Sequence, residues 1–244
     1  MTFLLIDNSN TRTKLALADG EELLAFRSII PSAELCQEAL VEALKGVDFD
    51  AVLISSVMPA KQKVLEDFFH KERIHILDHE SDLGIDIDYP APAQIGADRL
   101  ANAVGVTEHY GSPAIVVDFG TAVTFDVISA ERAYLGGVIA PGLAAMTSDL
   151  KQRTALLPQI DLKEPATAIG KTTTHAMQAG AVFGYRGLVR GILNRLCKEI
   201  EGRPHIVATG GDAELITASM PEIHHHHPEL TLEGLRLIAL RSFS

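Results

Sequence analysis

Two short segments end an apolar run in a carboxylate and follow it with a small polar turn. The first reads Phe3-Leu-Leu-Ile-Asp7-Asn-Ser-Asn-Thr11-Arg-Thr-Lys14, the second Ala114-Ile-Val-Val-Asp118-Phe-Gly-Thr121-Ala122. An Asp at the carboxyl end of a strand is placed to handle a hydrated cation, while the amides and hydroxyls of the turn face phosphate. In the first turn Asp7, Asn8, Ser9, Asn10, Thr11, Arg12 and Thr13 supply carboxylate, amide, hydroxyl and guanidinium groups, and Lys14 follows. The second turn supplies Gly120 and the Thr121 hydroxyl. Each alone is an ordinary Asx or Gly turn. Two of them facing each other would clamp a polyphosphate from both sides.

A third segment is Tyr89-Pro-Ala-Pro-Ala-Gln-Ile-Gly96-Ala97-Asp98-Arg99. Prolines hold its approach extended, and Gly96 admits a turn into a helix. Asp98 and Arg99 then fall in the first helical turn, and two readings are open. Asp98 accepts a hydroxyl proton while Arg99 holds a carboxylate or phosphate, or Asp98 is a helix-start charge with a solvated neighbour. A fourth segment, His205-Ile-Val-Ala-Thr209-Gly210-Gly211-Asp212, runs a strand into Gly-Gly. That shape admits a flat or charged ligand close to the backbone, and it is equally an ordinary strand–helix turn.

The elements that must hold these segments alternate. Phe3–Ile6 and Lys14–Ala18 read as strands, and Ser32 with Glu34 as the start of a helix carrying Leu35, Ala39, Leu40, Ala43 and Leu44. Ala51–Ile54 reads as a buried strand, Pro59 opens a helix through His70, Ile74–Leu77 is a strand, and a helix runs from Ala97 to about Glu108. Strand–helix alternation of this kind predicts an α/β fold. After the turn Gly111-Ser-Pro113 the pattern restarts, with Asp118 standing 111 residues beyond Asp7. Two similar halves are expected, 1–112 and 113–244, rather than a solenoid of short repeats.

Composition narrows the function classes. The 244 residues carry 21 basic and 32 acidic side chains, a formal net charge of −11, and 47% are hydrophobic. An acidic surface repels phosphate backbones, so no nucleic-acid partner is expected, although local amides can still bind ATP or small anions. No run approaches the ~20 apolar residues of a membrane helix, and Met1–Asp7 lacks the basic start of a signal peptide. The expectation is a cytoplasmic protein with no membrane partner. Cys36 and Cys197 are the two cysteines, both read as buried thiols in helical segments. Gly180, Gly184, Gly187 and Gly191 recur in a predicted helix from about Thr173 to Ile200. Each glycine there costs roughly 1 kcal/mol against alanine, which points to close packing against another helix, of a second subunit or of this chain's own core. His224–His227 reads as an exposed loop.

Taken together, these motifs give the chain a family likeness: it resembles the type III pantothenate kinases nearly end to end. The likeness rests on the Asp7–Lys14 turn, on Tyr89 nine residues before Asp98 in Gly96-Ala-Asp-Arg99, and on Asp118-Phe-Gly-Thr121. It continues through Gly136-Gly-Val-Ile-Ala-Pro-Gly142, Gly170-Lys-Thr-Thr173 ahead of Gln178-Ala-Gly180, Gly210-Gly211, and Leu230-Thr-Leu-Glu-Gly-Leu235. The resemblance implies an α/β fold of two ribonuclease-H-like domains with mixed β-sheets flanked by helices, as in the acetate and sugar kinase, actin and heat-shock ATPase superfamily. It implies ATP-dependent phosphorylation of pantothenate, the first step of coenzyme A synthesis, with Asp98 as general base. Tyr89, Gly96, Ala97, Arg99 and Thr173 would line the pantothenate site. Asp7–Lys14 and Thr121 would bind ATP, with magnesium near Asp7 and a monovalent cation, potassium or ammonium, near Asp118. Family members are typically homodimers. One position departs from the family pattern, Asp-x-Gly-Asn-Thr/Ser: Ser9 stands where Gly is usual, and if that position needs positive φ its Cβ would cost about 1 kcal/mol or displace the nucleotide. The rival readings are a non-catalytic, ligand-binding regulatory protein of the same family and another small-molecule kinase on this fold.

Overall fold

The computed structural model describes residues 1–70 and 72–243. They form two units, the first made of Met1–Tyr110, Arg132–Tyr134 and the segment from Glu229 onward, the second of Gly111–Glu131 and Leu135–Pro228.

In the first unit, β1 (Phe3–Asn8), β2 (Arg12–Ala18) and β3 (Leu23–Pro31) form an antiparallel meander, and α1 (Gln37–Ala43) leads to β4 (Ala51–Ser56). Then come α2 (Pro59–Phe68), β5 (Ile74–Ile76), the short β6 (Asp86–Ile87) and α3 (Ala97–Tyr110). The sheet order is β3-β2-β1-β4-β5, with β4 parallel to β1 and β5 parallel to β4. Period-two alternation sends Leu4, Ile6, Leu15, Val52 and Ile54 to one face, where Leu35, Leu40, Leu65 and Phe69 cover them. Each such side chain contributes about 1.5–3 kcal/mol when fully buried, enough to set the register.

The second unit repeats the plan. It contains β7 (Ala114–Phe119), β8 (Ala122–Ile128), β9 (Ala133–Pro141), α4 (Ala145–Arg153), α5 (Thr173–Glu199), β10 (His205–Thr209), α6 (Ala213–Thr217) and β11 (His225–His226). Its sheet runs β11-β10-β7-β8-β9. Ala133 and Tyr134 at the start of β9 belong to the first unit, where they pair with β6. The parallel strands β10 and β11 stand to β7 as β4 and β5 stand to β1. Strands beginning at residues 3, 12 and 23 are answered by strands beginning at 114, 122 and 133. Ile115, Val117 and Phe125 pack against Val182, Tyr185, Val189 and Leu193 of α5 and Ile216 of α6.

Four local expectations are corrected. The division is not a single cut near residue 112: α7 (Leu230–Phe243) belongs to the first unit. Its Leu235, Ile238, Ala239 and Phe243 are buried; Phe243 stacks on Phe3 with centroids 6.0 Å apart, and Thr231 Oγ1 donates to Asn102 of α3 at 2.8 Å. Ser32 does not cap a helix; it starts a 3-10 turn (Ser32–Glu34), and α1 begins only at Gln37. Cys36 is exposed at the N-cap of α1, while Cys197 is half-buried, with burial raising its thiol pKa. The histidine run is exposed at His224, His225 and His226, as expected, but is not wholly a loop: His225 and His226 pair with Val207 and Ala208.

Candidate active site

The turn after β1 is shaped by what lies beneath it. Asp7 is 3% exposed, its Oδ1 accepting from Ser9 Oγ at 2.8 Å and its Oδ2 standing 3.4 Å from Lys14 Nζ. Ser9 N–H donates to Arg12 O at 3.1 Å, leaving Asn10, Thr11 and Arg12 exposed around the turn. Ser9 takes no positive φ; among the described residues only Arg132 does so without being glycine. The serine Cβ is therefore accommodated without backbone strain. Asn8 and Thr13 lie below, 1% and 0% exposed, and Asn8 Nδ2 donates to Thr13 Oγ1 at 2.8 Å. Ser56 Oγ donates to Asn8 Oδ1 at 2.8 Å. Asn8 and Thr13 thus hold the turn from inside, while Asp7, Lys14 and the exposed residues form its outer surface.

The segment around Asp98 lies in the same unit. Tyr89 is half-buried, and a 3-10 turn over Pro92–Gln94 brings the chain to Gly96, whose carbonyl accepts from Arg99 N and Leu100 N at 3.0 and 3.2 Å. A Cβ on residue 96 would stand 2.6 Å from Asp98 Oδ1, so glycine here makes room for the carboxylate. That oxygen also accepts the Arg99 N–H at 2.8 Å. The Arg99 guanidinium lies over the Tyr134 ring, 5.7 Å from its centroid, and Tyr134 meets Tyr89 edge-on at 6.3 Å. Ala97 is buried. Val57 joins this segment to the turn after β1: its N–H donates to Asn8 O at 3.1 Å, and Cγ1 lies 3.6 Å from a Cβ position on Gly96.

In the second unit, Asp118 is half-buried at the end of β7 and Thr121 is exposed just beyond it. Two glycines press on this turn. A side chain on Gly142 would strike the carbonyls of Thr121 and Gly120, and a Cβ on Gly210, at φ 92°, would lie 2.5 Å from Asp118 Oδ1 and 2.6 Å from the Phe119 backbone. Gly210 therefore serves the close approach of two backbones, whereas Gly211 has open space beside it. Thr173 is exposed at the start of α5, where Thr172 caps the helix by accepting from His175 N at 3.2 Å. It borders a cavity of about 430 Å³ lined by Met146, Leu150, Leu157, Met177 and Gly180. The positions where Gly180, Gly184, Gly187 and Gly191 would carry a Cβ meet no described atom of this chain within 4 Å. The row does not pack on the chain's own core.

Two residues near the site escaped the sequence reading. Tyr134 sits at the opening of β9, far along the chain from Arg99, and no local pattern marks it. Ser32 Oγ donates to Ser9 O at 2.6 Å, so a residue that looks like a helix cap holds the turn after β1 instead.

Comparison with known proteins follows the same lines. The family model for type III pantothenate kinase matches residues 3–195. A type III pantothenate kinase of Akkermansia muciniphila is 55% identical over 98% of this chain and 98% of its own length. One from Methylacidiphilum infernorum is 40% identical over 96% of this chain and 87% of its own. Among solved structures, component A of (R)-2-hydroxyglutaryl-CoA dehydratase from Acidaminococcus fermentans superposes with a TM-score of 0.55 at 13% identity, covering 99% of this chain and 97% of that one. At that identity the likeness shows the fold alone.

Proposed function

The chain belongs to the type III pantothenate kinases, which phosphorylate pantothenate with ATP on the way to coenzyme A, and we propose that Asp98 is the general base of that reaction. Phosphoryl transfer to an alcohol depends chiefly on positioning and charge neutralisation. A carboxylate that takes the hydroxyl proton adds about 10²–10⁴-fold. The observation that carries this reading is the joint held by Val57, which ties the Asp98 helix start and the phosphate turn to one another within one unit. Within the first unit, Tyr89, Gly96 and Ala97 line the pantothenate site and Arg99, braced on Tyr134, meets the pantothenate carboxylate; Thr173, in the second unit, is assigned to pantothenate by the family resemblance alone.

The turn Asp7–Lys14 of the first unit holds the nucleotide, and Thr121, in the second unit, is assigned to ATP by the family resemblance alone. In that stretch Asn8 and Thr13 act through the turn they support, while Asp7, Lys14 and the exposed residues make the contacts. Asp7 fits a hydrated magnesium ion: its carboxylate is buried, and Ser55, its partner in the β1/β4 register, has a buried Oγ with no hydrogen-bond partner among the described residues. Magnesium bound with ATP neutralises the phosphates and keeps most of its own waters. Asp118 would hold the monovalent cation, potassium or ammonium. Its carboxylate oxygen occupies space that any side chain on residue 210 would fill, and the carbonyls of Gly120 and Thr121 crowd the same turn.

Each unit is one ribonuclease-H-like half in this reading, and the enzyme works in the cytoplasm as a homodimer. Dimerisation is supported by the uncovered glycine row of α5 beside the exposed Phe183, with Leu150, Leu156 and Ile169 also exposed in the same unit. The test is ADP release from ATP and magnesium, with and without pantothenate, in potassium and then in sodium buffer. Turnover that needs both pantothenate and potassium is the expected result. Turnover indifferent to the cation would remove the role given to Asp118, and none with pantothenate would remove the base.

A further inference from the structure

We propose that Ser32 is a positioning residue for the nucleotide: by taking up two carbonyls of the phosphate turn it sets the Asn10 and Arg12 amides to meet the phosphates. The proposal rests on Asp7–Lys14 being the phosphate-binding turn, and it assigns a role to a residue 23 positions away from Ser9.

Ser32 is fully buried and makes three contacts with the turn and its hairpin. Its N–H donates to Thr11 O at 3.0 Å, its Oγ donates to Ser9 O at 2.6 Å, and Thr13 Oγ1 lies 3.1 Å from the same Oγ. A hydroxyl has one proton. With the Ser32 proton on Ser9 O, Thr13 must donate to Ser32. Thr13 in turn accepts from Asn8 Nδ2, Asn8 Oδ1 accepts from Ser56 Oγ, and Ser56 Oγ accepts from Met58 N at 3.2 Å. Every donor in this row points the same way, from the start of α2 toward the phosphate turn, and hydrogen bonds so aligned polarise one another.

The consequence follows from peptide geometry. In a planar trans peptide the carbonyl and the next N–H point in opposite directions, and among the described residues the one cis bond is Ser112–Pro113. Drawing the Ser9 and Thr11 carbonyls toward Ser32 therefore turns the Asn10 and Arg12 N–H groups away from it. The Arg12 carbonyl is taken up as well, by Ser9 N at 3.1 Å. An anion approaching the turn from the side away from Ser32 then meets the Asn10 and Arg12 amide donors, the kind of donor that anion-binding backbone needs.

The experiment follows backbone amide resonances of ¹⁵N-labelled protein while a non-hydrolysable ATP analogue with magnesium is added, beside calorimetry and steady-state kinetics on Ser32→Ala. The expected result is that the Asn10 and Arg12 amides shift on binding in the native sequence. In Ser32→Ala the Asn10 response shrinks, the analogue binds about five- to tenfold more weakly, as for loss of one amide–phosphate hydrogen bond, and KM for pantothenate stays within about twofold. If Asp7, Thr11 or Lys14 respond but Asn10 and Arg12 do not, the role of Ser32 is overturned and the turn stands. If calorimetry registers binding while no residue from 7 to 14 responds, the turn itself is misassigned and the proposal goes with it. A rise in KM for pantothenate equal to that for ATP would mark a merely structural serine and overturn the proposal. Should Ser32→Ala fail to fold, the amide shifts in the native sequence decide alone.

Discussion

The Ser9 hydroxyl donates to Oδ1 of Asp7 at 2.8 Å while Lys14 stands 3.4 Å from Oδ2, so both oxygens of this buried carboxylate are engaged from its own hairpin. A carboxylate has about four lone-pair directions, and these two contacts leave room for a metal-bound water. Ser9→Gly restores the residue usual in the family but removes a donor to a charged group. Magnesium half-saturation should rise about three- to tenfold, with KM for pantothenate unchanged, and Ser9→Thr should restore most of the loss. A magnesium titration at saturating ATP reads this directly; identical curves for the native protein and the Ser9→Gly variant would dismiss the contact as incidental.

Asp98→Asn keeps the shape of the helix start and deletes the carboxylate proposed as proton acceptor. Turnover should fall by about 10²–10⁴-fold, while calorimetric binding of ATP with magnesium stays within about twofold. A variant with near-native turnover would end the case for Asp98 as base.

The glycine row of α5 distinguishes a free surface from a seam. If the row faces solvent, Gly184→Ala should stabilise the helix by about 0.5–1 kcal/mol, and Gly184→Leu should do no harm. For a seam between two copies, Gly184→Leu would overfill the contact and shift the protein toward smaller species at micromolar concentration. Light scattering after gel filtration checks this, and we expect the second result.

His224 gives the histidine run a measurable consequence. Its Nδ1 accepts the Ile206 N–H at 3.1 Å, an interaction that requires that nitrogen to be unprotonated. Burial first, then Arg203, His225 and His205, hold its pKa below the ordinary histidine value. The unfolded chain takes up this proton near pH 6.5, so below that pH the unfolded state binds more protons and stability falls as pH falls. The contribution is complete above that range. Between about pH 7.5 and 5.5 the native melting temperature should drop more than that of His224→Ala, and parallel slopes in the two proteins would refute the link.

Much of the fold was legible because its signals are local. The apolar runs before Asp7 and Asp118, the 111-residue repeat and the helix start at Thr173 all depend on short-range periodicity, and the strands and α5 stand where those patterns place them. Within the candidate site the residue types were legible and their directions were not. Asn8 and Thr13 sit in the same polar run as Asn10 and Thr11, yet strand alternation turns them into the interior. β3 is half exposed and carries no clean alternation to the eye. Ser32 followed by Glu34 satisfies the local grammar of a helix cap, and only packing against a hairpin twenty residues earlier decides otherwise. Tyr134 and α7 escaped for the same reason: their partners are chosen over long stretches of sequence.

The return of α7 to the first unit sets an order of completion during synthesis. Chains usually finish their amino-terminal domain first, as it leaves the ribosome. Here the strand carrying Asp7 emerges early, yet Phe3 and Asn102 must wait for Phe243 and Thr231, which are translated after the whole second unit. The second unit can close while the first still shows an uncovered apolar surface. A nascent or truncated chain that stops short of α7 would thus hold the carboxylates of Asp7 and Asp98 on an unfinished scaffold, and such a chain is a natural client for chaperones and proteases.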